Sequence, residues 1–104
     1  MSKLALIIKT RTKAGKRDEV RGLYEQLLAP RALTNPAQEL VLMNNDAQDP
    51  NVFYLFEVYA NQEAFQASSQ APWFWEYRGA AEPLLEGRPE VVMAVPVWGK
   101  GISI

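Results

Sequence analysis

One stretch of the chain decides its fold, and it reads Val52-Phe53-Tyr54-Leu55-Phe56-Glu57-Val58-Tyr59-Ala60-Asn61-Gln62-Glu63-Ala64-Phe65. Its first part is rich in β-branched and aromatic residues, which favours a strand over 52–59. Asn61 is a good N-cap residue, and it predicts a helix that begins directly after this strand. A strand that passes into a helix across a short polar turn indicates an α+β unit.

The residues before this stretch add a strand, a helix and a second strand. An apolar run predicts a first strand over 4–12, which the turn residues that follow it end. Apolar side chains then recur at helical spacing until Pro30 ends the pattern, and they predict a helix with one buried stripe. We expect a loop over 31–36 and a strand over 39–45. A polar turn joins that strand to 52–59, as in an antiparallel hairpin.

The residues after this stretch add helices and a last strand. Pro72 is well placed as the first residue of a short second helix. The segment 82–89 is a linker with a possible helical turn. A last strand is predicted over 90–98, and Pro96 within it favours an edge position or a bulge.

The resulting βαββαβ order predicts one ferredoxin-like α+β domain over 1–104, with a four-stranded antiparallel sheet. Helices on one side leave the other face of such a sheet open. The predicted strands are apolar on both faces, as Phe56 and Leu55 or Ile7 and Ile8 illustrate. The second face therefore needs a cover, and we expect a homodimer that pairs through the sheet faces.

Composition excludes several classes of function. The chain has 104 residues, of which 48% are hydrophobic and 22% charged, and its formal net charge is −1. Without a basic excess we expect no nucleic-acid partner and no membrane partner. The chain has neither Cys nor His, which removes thiol chemistry and the commonest general base and metal ligand. The apolar run 4–8 is too short for a signal peptide, and we expect a cytoplasmic protein.

Glu57 is a carboxylate in the middle of an apolar strand. A charge in that position must be paired, hydrogen-bonded, protonated or solvated at an interface. One interpretation is a polar group that lines a pocket and has a raised pKa. The other is a structural carboxylate bonded to the backbone or to an Arg near a dimer interface. The sequence leaves both open.

Aromatic side chains are concentrated in and before the second of the two later helices. Trp73 and Tyr77 share one helix face, and Trp75 points away from them. Such a cluster either packs in a core or lines a cavity for a flat aromatic ligand. Its members are Phe65, Trp73, Phe74, Trp75 and Tyr77.

Several segments resemble the antibiotic biosynthesis monooxygenase family, a group of dimeric α+β barrels. The stretch 53–67 is similar to the family's central motif, in which a strand ends in an acidic residue and an aromatic before a helix. The segments 13–19, 49–50 and 71–74 also resemble family turns, and the likeness runs from about Leu4 to Val97. The family commonly places a His after the Ala that opens this helix, whereas this chain has Ala67-Ser68 at the matching position.

The resemblance implies a cofactor-independent monooxygenase that oxidises a phenolic or quinol-like small aromatic with dioxygen. Haem-degrading relatives use a His ligand and an Asn on the first strand, and the match to that Asn here is Ile8. We therefore expect neither haem nor any other cofactor, and no metal. Glu57, Tyr77 and Ser68 are the catalytic candidates. The candidates for substrate binding are Tyr54, Asn61, Phe65, Trp73, Phe74 and Trp75.

Two other functions remain open at this point. Related α+β barrels include isomerases and other enzymes, because a fold does not determine an activity. The missing His also permits a module that binds a small molecule or dimerises without catalysis.

Overall fold

The computed structural model describes residues 2–104 and contains a four-stranded antiparallel sheet with helices packed on one face. Its strands have the order β2-β3-β1-β4 in the sheet, as in the ferredoxin-like fold. The strands are β1 (Leu4–Arg11), β2 (Gln38–Asn45), β3 (Val52–Tyr59) and β4 (Glu90–Ala94), and the helices are α1 (Arg17–Leu27), α2 (Ala29–Leu33), α3 (Gln62–Ser69) and α4 (Pro72–Ala81), followed by a 3₁₀ turn at Glu82–Leu84. The predicted fold class is confirmed.

Two predicted boundaries are wrong, and proline explains both. The expected loop 31–36 is partly helical, because Pro30 lies in the first turn of α2, where its missing N–H is not needed. The last strand ends at Ala94 rather than at 98, since Pro96 cannot donate a ladder hydrogen bond. The predicted edge position of this strand is confirmed.

The core lies between the inner face of the sheet and the helices. Phe53 and Leu55 on β3 pack against Val20 and Tyr24 of α1, and all four side chains are buried. Leu6 on β1 is also buried on this face. Burial of side chains of these types stabilises a fold by ~1.5–3 kcal/mol each. The core therefore holds the sheet and α1 together as the frame for the cavity described below.

The outer face of the sheet carries a row of apolar side chains that crosses all four strands. Phe56 on β3 pairs in register with Leu42 on β2 and with Ile7 on β1, and Ile7 pairs with Val92 on β4. These four side chains are between 40% and 55% exposed. The predicted apolar character of both faces is confirmed. No helix in residues 2–104 is long and apolar enough to cross a membrane.

Candidate functional site

A cavity of about 150 Å³ lies between the inner face of the sheet and the helices. Glu57 and Tyr59 reach it from the end of β3, and Leu6 and Ile8 form its floor on β1. The helical side of the wall is mostly aromatic. It includes Tyr24 of α1, Leu28 between α1 and α2, Phe65 and Ser68 of α3, and Trp73 and Phe74 of α4.

Two local signals position the helical wall. The Asn61 side chain accepts a hydrogen bond from the Ala64 N–H at 2.8 Å, which caps α3 and sets its direction directly after β3. Pro72 then begins α4, so that the chain bends between two short helices. The bend brings Phe65 and Trp73 to the same space above the sheet.

Glu57 provides the only acidic group on the cavity wall among the described residues. It pairs in register with Leu6 on β1 and Val41 on β2, and it is only 8% exposed. The Gln38 side-chain amide donates to its Oε1 atom at 3.2 Å. Burial raises the pKa of Glu57, while hydrogen bonds from Tyr59 and Gln38 lower it in part. A carboxylate with a raised pKa beside a cavity is suited to accept a proton.

The charge of Glu57 acts on three tyrosines, which remain neutral near neutral pH. Burial, and then the charge of Glu57, raises the pKa of Tyr77 to about 12. The pKa values of Tyr24 and Tyr59 are raised in the same way, with burial as the largest cause. Tyr24 and Tyr77 meet edge to face with their ring centroids 5.8 Å apart. Neutral phenol groups can donate hydrogen bonds to a carboxylate or to a ligand oxygen.

Ser68 is buried on the opposite side of the cavity from the sheet floor. A hydrogen bond from its hydroxyl lowers the pKa of Tyr59 in part, against the larger effect of burial. The Asn35 amide approaches the Ser68 Oγ atom at 3.5 Å, at the limit of a hydrogen bond. A short polar strip therefore runs from Glu57 through Tyr59 to Ser68.

The structure brings five of the predicted site residues together, and a sixth lies close to them. The five are Glu57, Phe65, Ser68, Trp73 and Phe74, which all line the cavity. Tyr77 packs against Tyr24 in the core and is not on the cavity wall. Its influence on a ligand would pass through Tyr24.

Three other predicted residues do not reach the cavity. Tyr54 lies on the outer face of the sheet, where its hydroxyl donates to the Asp46 carboxylate at 2.7 Å. Asn61 uses its side chain to cap α3. Trp75 is exposed, and the Arg78 guanidinium lies 5.2 Å from its ring centroid. We therefore omit these three from the proposed site.

Sequence reasoning missed Tyr24, Tyr59 and Gln38 as site residues. Tyr59 lies two residues after Glu57 on β3, so that both side chains point to the same face of the sheet, and this spacing could have revealed it. Tyr24 belongs to the apolar stripe of α1, which indicated core packing alone. Gln38 meets Glu57 only through the pairing of β2 with β3, which no local pattern shows.

The donor set of the described residues does not suit a metal ion. No group of three or more Asp or Glu side chains in residues 2–104 is arranged to hold one. The cavity instead combines aromatic walls, one carboxylate, neutral phenols and a hydroxyl. This composition fits a small, flat organic molecule with one or two polar atoms.

The fold and the cavity define the class of the protein as a ferredoxin-like α+β domain with an aromatic cavity above its sheet. The sequence model of the antibiotic biosynthesis monooxygenase family matches residues 4–80. The chain therefore belongs to the antibiotic biosynthesis monooxygenase family. No curated protein matches it.

Solved structures agree with this assignment. A proposed antibiotic biosynthesis monooxygenase from Chloroflexus aurantiacus J-10-fl is 26% identical, with a TM-score of 0.83 over 98% of this chain and 100% of its own. A proposed member from Caulobacter crescentus CB15 is 16% identical, with a TM-score of 0.86 over 93% of this chain and 92% of its own. One from Nitrosomonas europaea is 15% identical, with a TM-score of 0.86 over 96% of this chain and 95% of its own. The last two likenesses concern the fold alone.

Proposed function

We propose that this protein is a cofactor-independent monooxygenase that oxidises a small phenol or quinol with dioxygen. The observation that carries the proposal is the burial of Glu57 on the wall of an aromatic cavity. Family membership supports the reaction type, and the cavity supports the class of substrate. Its residues supply a proton acceptor and apolar walls, which are what such a reaction needs from a protein.

The volume of the cavity favours a substrate with a single aromatic ring. At about 150 Å³ it is similar in size to engineered apolar cavities of roughly 150 Å³ that bind benzene. Phe65, Trp73 and Phe74 would contact the faces and edges of such a ring. Glu57 lies on the wall, where it can meet a ring hydroxyl.

The reaction begins with a proton transfer from the substrate hydroxyl to Glu57. The phenolate of a hydroquinone is a much better electron donor than the neutral molecule, and it passes one electron to dioxygen. The two radicals combine at a ring carbon to form a peroxide anion, Glu57 returns its proton to give the hydroperoxide, and the hydroperoxide loses water. One oxygen atom enters the ring and the other leaves in water, so that hydroquinone and O₂ give hydroxyquinone and H₂O. All four electrons that reduce dioxygen come from the substrate.

The surroundings of Glu57 have a role in each step. The raised pKa of Glu57 keeps it a competent base without a His, because its charged form lacks full solvation. Gln38 donates a hydrogen bond to the carboxylate and holds its position. The apolar walls exclude water, which favours electron transfer within the bound pair over loss of the radicals. Ser68 and Tyr59 are available to a second substrate oxygen.

We also propose that two copies of the protein pair through the outer faces of their sheets. The support is the row of exposed apolar side chains formed by Leu42, Phe56, Ile7 and Val92. A second sheet would cover this row and leave the cavity, which is on the opposite face, accessible in each copy.

Oxygen consumption tests the proposed reaction. The protein is incubated with a panel of hydroquinones and alkylphenols in an oxygen electrode, and products are identified by mass. We expect one O₂ per hydroxyquinone formed. Glu57→Gln should lower kcat by about a hundredfold, at the lower end of the ~10²–10⁴ that a general base contributes. Glu76→Gln, which changes an exposed carboxylate on α4, is the matched control.

Two outcomes contradict the proposal. Consumption no faster than the uncatalysed background across the panel would exclude the reaction. If hydroquinones quench the fluorescence of Trp73 without being consumed, the protein is a binding module.

A further inference from the structure

A second concavity opens next to the cavity, on the side of β2. It is a surface groove of about 420 Å³ between α1, α2 and the inner face of β2. Its volume lies within the range of roughly 300–1,000 Å³ that is typical of ligand pockets. Its lining residues include Tyr24, Ala29, Ala32, Leu33, Val41 and Met43.

The groove and the inner cavity share two lining residues. Tyr24 and Ala32 line both spaces, so that the ring of Tyr24 forms a partition between them. Ala32 is small, and it leaves the Tyr24 side chain as the main part of this partition. The ring of Tyr24 meets Tyr77 edge to face and belongs to the buried core, while the groove and the cavity both border it. A rotation of this side chain would join the two spaces.

The groove has an apolar floor and a neutralised rim. Val41 and Met43 belong to β2, and Leu33 on α2 forms an exposed apolar border. The two charged side chains on the rim, Arg21 and Glu25, bind each other at 2.7 Å. No unpaired charge faces the groove from its lining residues, so that it suits an alkyl chain better than an ionic group.

We propose that the groove holds an apolar substituent of the same ligand whose ring occupies the inner cavity, with Tyr24 as the partition that the substituent passes. The inference rests on the proposed function for the class of the ring, and it adds that the substrate is an alkyl-substituted phenol or quinol. Two observations carry it. The cavity has room for one ring only, and the space beside Tyr24 is larger and is bordered by Val41, Met43 and Leu33, with the polar Asn45 at the end of β2.

Binding of a series of 4-alkylphenols tests this inference without using turnover. The series runs from phenol to 4-heptylphenol, and Kd is measured by quenching of Trp fluorescence. Full burial of a methylene is worth ~0.8 kcal/mol, which corresponds to about fourfold in Kd. Because the groove is half open, we expect about twofold tighter binding for each methylene added.

Methionine methyl resonances locate the bound chain. In protein labelled at the methionine methyls, 4-heptylphenol should shift the signal of Met43, which lines the groove, whereas phenol should not. Met93 is the internal control, because it lies on β4 and outside both linings. A matching pair of variants is Leu33→Ser in the groove and Val97→Ser in the C-terminal segment. The two side chains are 87% and 89% exposed, and neither change removes core packing.

We expect Leu33→Ser to raise the Kd for 4-heptylphenol by about fivefold and to leave the Kd for phenol unchanged. Val97→Ser should change neither Kd. The inference is overturned if Kd does not depend on chain length, if no member of the series binds, or if 4-heptylphenol leaves Met43 unshifted. Oxygen consumption decides the proposed function separately. A protein that oxidises hydroquinone without a chain-length effect loses only this inference, and one that binds the series through Met43 without consuming oxygen loses only the proposed reaction.

Discussion

The pairing of two sheets through their outer faces can be tested on adjacent residues of one strand. Val91 and Val92 are consecutive on β4 and are 52% and 55% exposed. They point to opposite faces, because Val92 pairs with Ile7 in the outer row and Val91 pairs with Ile8 on the inner face. We predict that Val92→Asp breaks the dimer and that Val91→Asp does not.

The size of the effect follows from the exposed fraction of the outer row. Full burial of a Val, Leu, Ile or Phe side chain is worth ~1.5–3 kcal/mol, so that covering the remaining half is worth about 1 kcal/mol. The eight side chains of two rows then contribute about 8 kcal/mol, which offsets much of the ~4–15 kcal/mol that association costs, and a micromolar dimer needs a further surplus from the rest of the outer face. The margin between this gain and the cost of association is small. A single substitution, which appears twice in a symmetric pair, should therefore decide whether the dimer forms.

Val92→Asp removes about 1 kcal/mol of burial in each copy and places two carboxylates in an apolar interface. Each buried, unpaired charge costs several kcal/mol, so that the total exceeds ~4 kcal/mol. This corresponds to a rise in the dimer Kd of at least roughly a thousandfold. Sedimentation velocity measures the change at protein concentrations from roughly 0.1 to 100 µM, a range that brackets a micromolar Kd.

The matched variant makes the result specific to one face. Both substitutions put the same charge on the same edge strand at nearly equal exposure, and circular dichroism checks that both proteins are folded. The reasoning is refuted if the wild-type protein is monomeric across this range. It is also refuted if the two variants weaken association equally, since the outer row would then not be the interface.

Further predictions concern Glu57, Asn61 and Tyr54. The pKa of Glu57 is raised from 4.5 in the folded state, so that above this pH the folded protein binds more protons than the unfolded protein. Its contribution to stability is complete below pH 4.5 and is lost as the pH rises through the folded pKa. Urea denaturation at several pH values should show this decline in the wild type and a flatter profile in Glu57→Gln. Parallel profiles of the two proteins would contradict it. Asn61→Ala should reduce the free energy of unfolding by about 1 kcal/mol through loss of the α3 cap, whereas Asn61→Asp should retain most of it; equal losses in the two variants would rule out the cap as the cause. Tyr54→Phe should leave phenol binding at Trp73 unchanged, because the Tyr54 hydroxyl binds Asp46 on the other face, and a clear loss of affinity would place that hydroxyl in the site after all.

Local patterns determined most of the architecture of this protein. The β-branched and aromatic residues of 52–59, the cap at Asn61 and the helix start at Pro72 each act within a few residues, and the structure contains all three. The apolar residues on both faces of the strands were also readable, because a strand turns every second side chain to the same side. The errors at 31–36 and at 95–98 arose where a proline is compatible with two local structures.

The site depended on distances that local patterns do not contain. The sequence singled out Glu57 and the aromatic residues after it and put Trp73 and Trp75 on different helix faces, but it did not decide the separation of these faces into one on the cavity wall and one in solvent. That separation depends on how α4 is rotated against the sheet, which long-range packing decides.

The opening stretch 52–65 by itself determined a strand that passes into a capped helix, with a carboxylate in its middle, because hydrogen bonding and side-chain alternation over neighbouring residues are sufficient for that. Only the tertiary structure decided what the carboxylate faces. The pairing of β3 with β1 and β2 buried Glu57 beside Gln38, and the packing of α1, α3 and α4 left a cavity in front of it and a groove behind Tyr24. Burial and cavities are properties of residues brought together from distant parts of the chain, and they arise only when those parts pack.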